Sequence, residues 1–376
     1  MRVFLLSLVF VLSFAVVARA EPACGAPGAR DDGWEAAAPA SVGVDSEKLC
    51  ALAQRLAEWK AADIHAVLIG RHGKLIFEQY YSGLDEHWGE ATKEVAFGPD
   101  VPHDLRSITK SVVALVLGIA VDKGWVKDLD QPVLSLLPSY ADLKSSDNER
   151  ITLRDLLTMS AGFAWSEDAP YGDPSNSETQ MDQAADPCRY VLERPVAHPP
   201  GSVWTYSGGS AALIACVLRQ ATGRSLDQLA QSVLFDPLAI KEVSWARYPA
   251  TGDPVAASGL RLVPRDTLKL GQLVLDKGRW RGAQVAPAPF IEAATTPQIN
   301  ALGLMFYGYQ FWLGRSLIAK REVDWIAGIG YGGQRLYIVP SLDLVVLIHA
   351  GLYASPMQEW VGNALLNRYV LPAAAP

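Results

Sequence analysis

The chain has 376 residues, half of them apolar and 19% charged, with 31 Gly and 24 Pro. That length allows one large domain or two ordinary ones, and the composition excludes a disordered chain, a collagen and a coiled coil. The formal charge of −7 argues against nucleic acid as a general partner, because phosphate binding needs a basic footprint.

In chain order, the first segment reads as a targeting signal. Arg2 precedes an apolar run from Val3 to Val17, and Ala18-Arg19-Ala20 follows as a small-x-small site. These are the three parts of a secretory signal peptide. The run is short for a bilayer span and Glu21-Pro22 comes at once, so residues 1–20 are expected to be removed. The expectation is an exported protein, periplasmic or secreted, with no membrane association after cleavage. Export permits disulfides. Cys24, Cys50, Cys188 and Cys216 allow three pairings. Cys24–Cys50 and Cys188–Cys216 are favoured because each closes a short loop. Cys216 lies in the apolar run Ala211 to Leu218, so it reads equally as a buried free thiol.

Residues 21–41 are rich in Ala, Gly and Pro and read as an irregular arm; residues 42–376 read as one domain. Leu49, Leu52 and Leu56 give Asp45 to Trp59 a helical period. His65 to Tyr81 reads as a hairpin, with Ala66 to Ile69 as one strand, His72-Gly73 at the turn and Lys74 to Tyr81 returning. Ser107 to Val121 is apolar nearly all round, which predicts a buried helix. Further helices are predicted over Thr152 to Ser160, Ser210 to Thr222, Ser225 to Phe235 and Pro264 to Asp276. Ala164 to Asp186 is polar and reads as a long loop, a feature that is usually either functional or floppy. Towards the C-terminus, Gly308 to Leu313 is a candidate strand. Arg335 to Pro340 and Leu344 to Ala350 form a second hairpin, and Met357 to Tyr369 closes as a helix. Strands at both ends and helices between predict an α+β fold. One antiparallel sheet is built from the N- and C-terminal segments and flanked by helices. A helical subdomain is inserted roughly over residues 105–300.

Three places carry chemistry. In Ser107-Ile108-Thr109-Lys110, residues three apart share a helix face, so hydroxyl and amine can meet. A Ser needs an adjacent base to act as a nucleophile, and burial at a helix start keeps a Lys neutral. The plainer reading is a Lys that snorkels to solvent. Tyr206, on a turn entering an apolar helix, can serve as acid or base beside Lys110; alone it reads as an ordinary half-buried Tyr. Gly328 to Gly333 formally contains G-x-G-x-x-G, but strand-like segments follow instead of a helix, so a dinucleotide site is rejected. Glycines beside an edge strand instead let a ligand approach the backbone and an N–H reach an oxyanion. No G-x-S-x-G elbow and no H-E-x-x-H occurs, which excludes an α/β-hydrolase arrangement and a zinc hydrolase. No cofactor or metal is implied.

With those residues in view, the chain resembles the serine β-lactamase and penicillin-binding-protein superfamily, and within it class C-like serine hydrolases such as esterases and 6-aminohexanoate-dimer hydrolases. The similarity runs from about Ser41 to the C-terminal helix. Ser107-x-x-Lys110 matches S-x-x-K, Tyr206 matches the Tyr of Y-x-N, and Tyr331-Gly332-Gly333 falls where the family has K-T-G or H-x-G. The resemblance implies that Ser107 is the acylated nucleophile, with Lys110 and Tyr206 as general base and acid. It also implies an oxyanion hole from the backbone N–H groups of Ser107 and Gln334. Tyr331, Gly332, Gly333, Gly208 and Trp165 are expected against the substrate, with Trp204, Tyr307 and Trp312 as further candidates for an apolar lining. Gly208 replaces the Asn of Y-x-N, and Tyr331 and Gly332 replace the Lys and Thr that hold a β-lactam carboxylate. Losing one charge-assisted hydrogen bond weakens binding by about ten- to a hundred-fold. The expected partner is therefore a small ester or amide with an uncharged acyl side. A β-lactamase or D-Ala-D-Ala carboxypeptidase ranks second, and an inactive cell-wall or ligand-binding protein on the same fold ranks last.

Overall fold

A computed structural model describes residues 25–88, 90 and 92–375. The expected signal peptide and Cys24, with its pairing to Cys50, lie outside the described residues.

The first helix, α1 (Ser46–Glu58), starts at Asp45, whose carboxylate accepts from the Glu47 and Lys48 amides at 3.1 and 3.2 Å. It buries Leu49, Leu52 and Leu56. The first hairpin joins β2 (Ile64–Arg71) to β3 (Lys74–Tyr80). His72 and Gly73 at its turn both have positive φ (51° and 70°), the two-residue geometry that suits strand twist. Preceding it, Glu35–Ala36 (β1) pairs in parallel with β3. The arm is therefore not wholly irregular: Trp34 is buried, its indole donating to the Arg265 carbonyl at 3.1 Å, and this anchors the strand on the sheet edge.

Six strands follow near the C-terminus: β4 (Ile299–Asn300), β5 (Phe306–Tyr307), β6 (Trp312–Ile318), β7 (Arg321–Gly330), β8 (Gln334–Val339) and β9 (Leu344–Ala350). The sheet order is β1-β3-β2-β9-β8-β7-β6-β5-β4, antiparallel apart from β1. Both termini thus build one sheet, as predicted. Of the candidate strand Gly308 to Leu313, only Trp312 and Leu313 are strand, as the start of β6, and residues 308–311 form a break. A Cβ on Gly308 would sit 2.0 Å from the Ala294 carbonyl, and Gln310 (φ 61°) turns inward to donate to Leu156 O at 2.8 Å. That tether splits the segment into β5 and β6. The glycine-rich hairpin is not on an edge either, because β7 and β8 are interior strands.

The sheet is covered on both faces, so β2 reads as a continuous apolar run instead of an alternating one. Leu68 packs towards the helical subdomain, while Val67 and Ile69 pack on α1 and the C-terminal helices. The predicted C-terminal helix is present but starts later and runs further, as one continuous helix over 361–374 with a π segment at Leu366–Val370, preceded by a short turn at Pro356–Glu359.

In the inserted subdomain α2 (Ile108–Asp122) is buried from Ile108 to Ala120. Around it lie α3 (Leu153–Leu157), started by a Thr152–Asp155 capping box, then α4 (Ser177–Asp182), α5 (Pro187–Leu192), α6 (Gly208–Thr222) and α7 (Pro264–Leu275). The predicted loop Ala164 to Asp186 contains α4, which is capped by the Asn176 side chain. Six residues are too few to show a helical period. A disulfide joins Cys188 on α5 to Cys216 on α6, with 6.7 Å between Cα atoms. It spans 28 residues, so the chain-entropy model gives about 3–4 kcal/mol. Cys188→Ala/Cys216→Ala is expected to lower unfolding free energy by about that amount in urea titrations. A loss under about 1 kcal/mol would mean that the link does not constrain the unfolded chain.

Candidate active site

Ser107 and Lys110 sit at the start of α2, on one face. Lys110 Nζ donates to Ser107 Oγ at 3.1 Å and to Ala257 O at 3.0 Å, and is 1% exposed. Tyr206 comes from the turn before α6. Its ring centre lies 5.0 Å from Lys110 Nζ, and its hydroxyl is within electrostatic reach of both Ser107 and Lys110. The three residues singled out in the sequence therefore meet. Immediately before Ser107, Arg106 has φ 49°, a conformation disfavoured for a side chain of this size. It is held by an ion pair to Asp104 at 3.3 Å and by Glu86. Leu105 is fully buried, so the turn is clamped from both sides.

The charge state of Lys110 differs from the sequence expectation. Burial pushes its pKa down, but Glu178, Tyr206 and Glu167 outweigh burial and raise it above the ordinary value. Lys110 is therefore an ammonium at rest, not a neutral amine. Tyr206 is also raised, because burial and Glu167 exceed the lowering by Lys110 and by Ser107.

The carboxylates responsible were not singled out in the sequence. Glu178 is 2% exposed, with Oε2 3.6 Å from Lys110 Nζ. Glu167 Oε1 accepts from the Gly208 amide at 2.6 Å and from the Trp165 indole at 2.7 Å, and Tyr171 donates to its Oε2 at 3.1 Å. Asp182 lies one helical turn beyond Glu178 on α4. The i, i+4 spacing of Glu178 and Asp182 was the one available signal. Burial, then Glu178, pushes Glu167 up to about 7 and Asp182 up to about 8. A carboxyl raised in the folded state favours folding while protonated, so its contribution is lost as pH rises from the ordinary carboxyl range through the raised value. Glu167→Gln is expected to narrow the stability difference between pH 5 and pH 8, read by urea unfolding. An unchanged difference would mean that Glu167 titrates alike in both states.

Two clefts meet at Ser107. One, of about 560 Å³, is lined by Tyr206, Trp312, Ile329 and Tyr331 among others. The second, of about 340 Å³, is lined by Glu86, Arg106, Glu178 and Asp182 among others. Tyr171 and Tyr331 touch edge to face between them, with ring centres 5.1 Å apart. Gly332 and Gly333 (φ 82° and 93°) form the hairpin tip, and a Cβ on Gly332 would collide with Tyr353 at 2.5 Å. Gly330 packs on Leu105 and Arg106, which brings the hairpin beside Ser107. Gln334 is fully buried, and its side chain donates to Tyr331 O at 3.2 Å and Ala350 O at 2.7 Å. Arg335 borders the first cleft, but its guanidinium donates to Gly330 O, Gln334 O and Gln358 O.

Trp165, expected against the substrate, is turned away from both clefts. It is buried, donates to Glu167 and packs on Gly209, where a Cβ would lie 2.9 Å from the indole. Trp204, Tyr206, Tyr307 and Trp312 form one aromatic cluster with ring centres 5.2–6.1 Å apart, of which Tyr206 and Trp312 reach the cleft. Gly208 lies under Glu178: a Cβ there would be 2.1 Å from Glu178 Oε2.

Comparison with known proteins bears on the family and the fold. The family model described as Beta-lactamase matches residues 57–357. A 6-aminohexanoate-dimer hydrolase of Paenarthrobacter ureafaciens is 25% identical over 317 residues, covering 79% of this chain and 75% of that protein. A lovastatin esterase of Penicillium rubens is 27% identical over 206 residues, 48% of this chain and 49% of that one. Among solved structures, EstCE1, described as a hydrolase with promiscuous acyltransferase activity, superposes with a TM-score of 0.66 at 14% identity. It covers 86% of this chain and 97% of that one.

Proposed function

Because the chain belongs to the Beta-lactamase family and is a serine hydrolase, we propose that it cleaves an ester or amide through an acyl-Ser107 intermediate. The observation that carries this reading is the Lys110 contact to Ser107 Oγ at 3.1 Å inside a buried, carboxylate-rich site. Ser107 Oγ attacks the substrate carbonyl as its proton passes to the Tyr206 phenolate, the ionised fraction that the adjacent Lys110 ammonium favours. The Lys110 ammonium supports the negative charge that develops on both oxygens. Tyr206 then returns the proton to the departing alcohol or amine, which leaves Ser107 acylated. The backbone N–H groups of Ser107 and Gln334 are assigned to the carbonyl oxygen.

The substrate is assigned an uncharged acyl side. Tyr331 supplies no cation where the family has Lys, and the Arg335 guanidinium is already engaged by three backbone carbonyls. Tyr206, Trp312 and Ile329 offer apolar surface beside Ser107. Export is part of the same proposal and is supported by the Cys188–Cys216 disulfide. The test is acid quenching during turnover of p-nitrophenyl butyrate, followed by intact-protein mass. A butyryl gain that maps to the Ser107 peptide is expected. Turnover with no adduct at any quench time, and none in any slowed variant, would overturn the reading. Nitrocefin turnover exceeding ester turnover would favour a β-lactamase instead.

A further inference from the structure

Glu178 has no assigned role in the acylation step, yet it has the environment of a reacting group. Its side chain is 2% exposed and starts from α4. Oε1 accepts from Ser258 Oγ at 3.3 Å. Oε2 is buried and has no hydrogen-bond donor among the described residues; Lys110 Nζ, at 3.6 Å, is too far for one. A buried carboxylate oxygen without a donor is costly and is normally satisfied by water or ligand. Glu178 lines the same cleft as Ser107, a space of about 340 Å³ with room for ordered water. One ammonium reaches both groups, lying 3.1 Å from Ser107 Oγ and 3.6 Å from Glu178 Oε2.

A second, independent observation comes from Gly208. Its Cβ would lie 2.1 Å from Glu178 Oε2 and 2.7 Å from Cδ. The glycine is required because the carboxylate fills the volume that any side chain at 208 would take. The φ of Gly208 is not positive, so backbone freedom does not explain the residue.

We propose that Glu178 is the base that activates the water hydrolysing the acyl-Ser107 intermediate. This rests on the acyl-enzyme reading above and adds the residue that completes turnover. A water held by Glu178 Oε2 gives its proton to the carboxylate while its oxygen bonds the acyl carbon. The carbonyl electron pair moves onto oxygen to form the tetrahedral adduct. As the adduct collapses, the bond to Ser107 Oγ breaks and Oγ takes a proton from the Lys110 ammonium. Lys110 regains a proton from Glu178. The acid leaves, and one water has been consumed.

The test is rapid-mixing kinetics of Glu178→Gln with p-nitrophenyl butyrate, with intact-protein mass on quenched samples. The expected result is a burst of p-nitrophenol within about threefold of the wild-type acylation rate, and kcat lower by about a hundredfold or more. The butyryl adduct on Ser107 is expected to approach one per chain. Gly208→Ala, which displaces the carboxylate without removing it, is expected to accumulate the same adduct. Glu178→Asp is expected to recover part of kcat. Circular dichroism and urea unfolding report whether each variant is folded. Burst and steady state falling together with no adduct, or kcat within about threefold of wild type, would overturn the role of Glu178 alone. Full turnover by Ser107→Ala would instead remove the acyl-enzyme reading, and this proposal with it.

Discussion

Ser107→Ala is expected to lower kcat/KM for p-nitrophenyl butyrate by at least about a thousandfold, with the residual rate reflecting binding and oxyanion contacts alone. The fold should be nearly untouched. Ser107 is the N-cap of α2, but its side chain makes no capping hydrogen bond, so Ala removes no cap and the stability change should stay within about 1 kcal/mol. Ser355 and Ser258 also border the two clefts. Among these serines only Ser107 receives the Lys110 amine, and neither of the others is expected to substitute for it. Initial rates with purified wild type and variant, corrected for spontaneous hydrolysis, decide the point. A loss under about tenfold would mean that the nucleophile lies elsewhere.

Lys110→Met should lose activity by about a hundredfold or more and, unlike Ser107→Ala, should also lose stability. Lys110 is the buried cation beside Glu178 and close to Glu167. Breaking a buried ion pair from one side costs about 3–5 kcal/mol, because the remaining charge has no compensation. The penalty should depend on pH. Lys110 lowers the pKa of both Glu167 and Asp182, which nonetheless stand at about 7 and about 8. Without the ammonium both rise further. The carboxyls are then protonated at pH 5 and the deficit is small. It grows as pH climbs through the raised values, because charged buried carboxylates disfavour the fold. Urea unfolding of wild type and Lys110→Met at pH 5 and pH 8 measures this. A deficit independent of pH would show that Lys110 does not compensate the carboxylates. Full activity in the variant would show that the proton of Ser107 moves without it.

Short-range features were legible in the residues themselves. The hairpin over 64–80 follows from an apolar run, a His72-Gly73 turn and a second run, each visible in a window of a few residues. The S-x-x-K spacing places Ser107 and Lys110 on one face through helix geometry alone. Where expectation failed, a distant contact intervened. Gly308 to Leu313 has the composition of a strand, but the bond from Gln310 to Leu156 O breaks it. Trp165 is aromatic and near the site in sequence, yet its indole is claimed by Glu167.

From the amino-acid sequence alone came the pairing of Ser107 with Lys110, the candidacy of Tyr206 and the sheet assembled from the two termini, because helix and strand periods are local and repeat. Only the tertiary structure decided the protonation of Lys110 and the need for glycine at 208. Both depend on carboxylates that the folded chain carries from 164–182 to the start of α2, and burial and charge act through space, where separation along the chain leaves no trace.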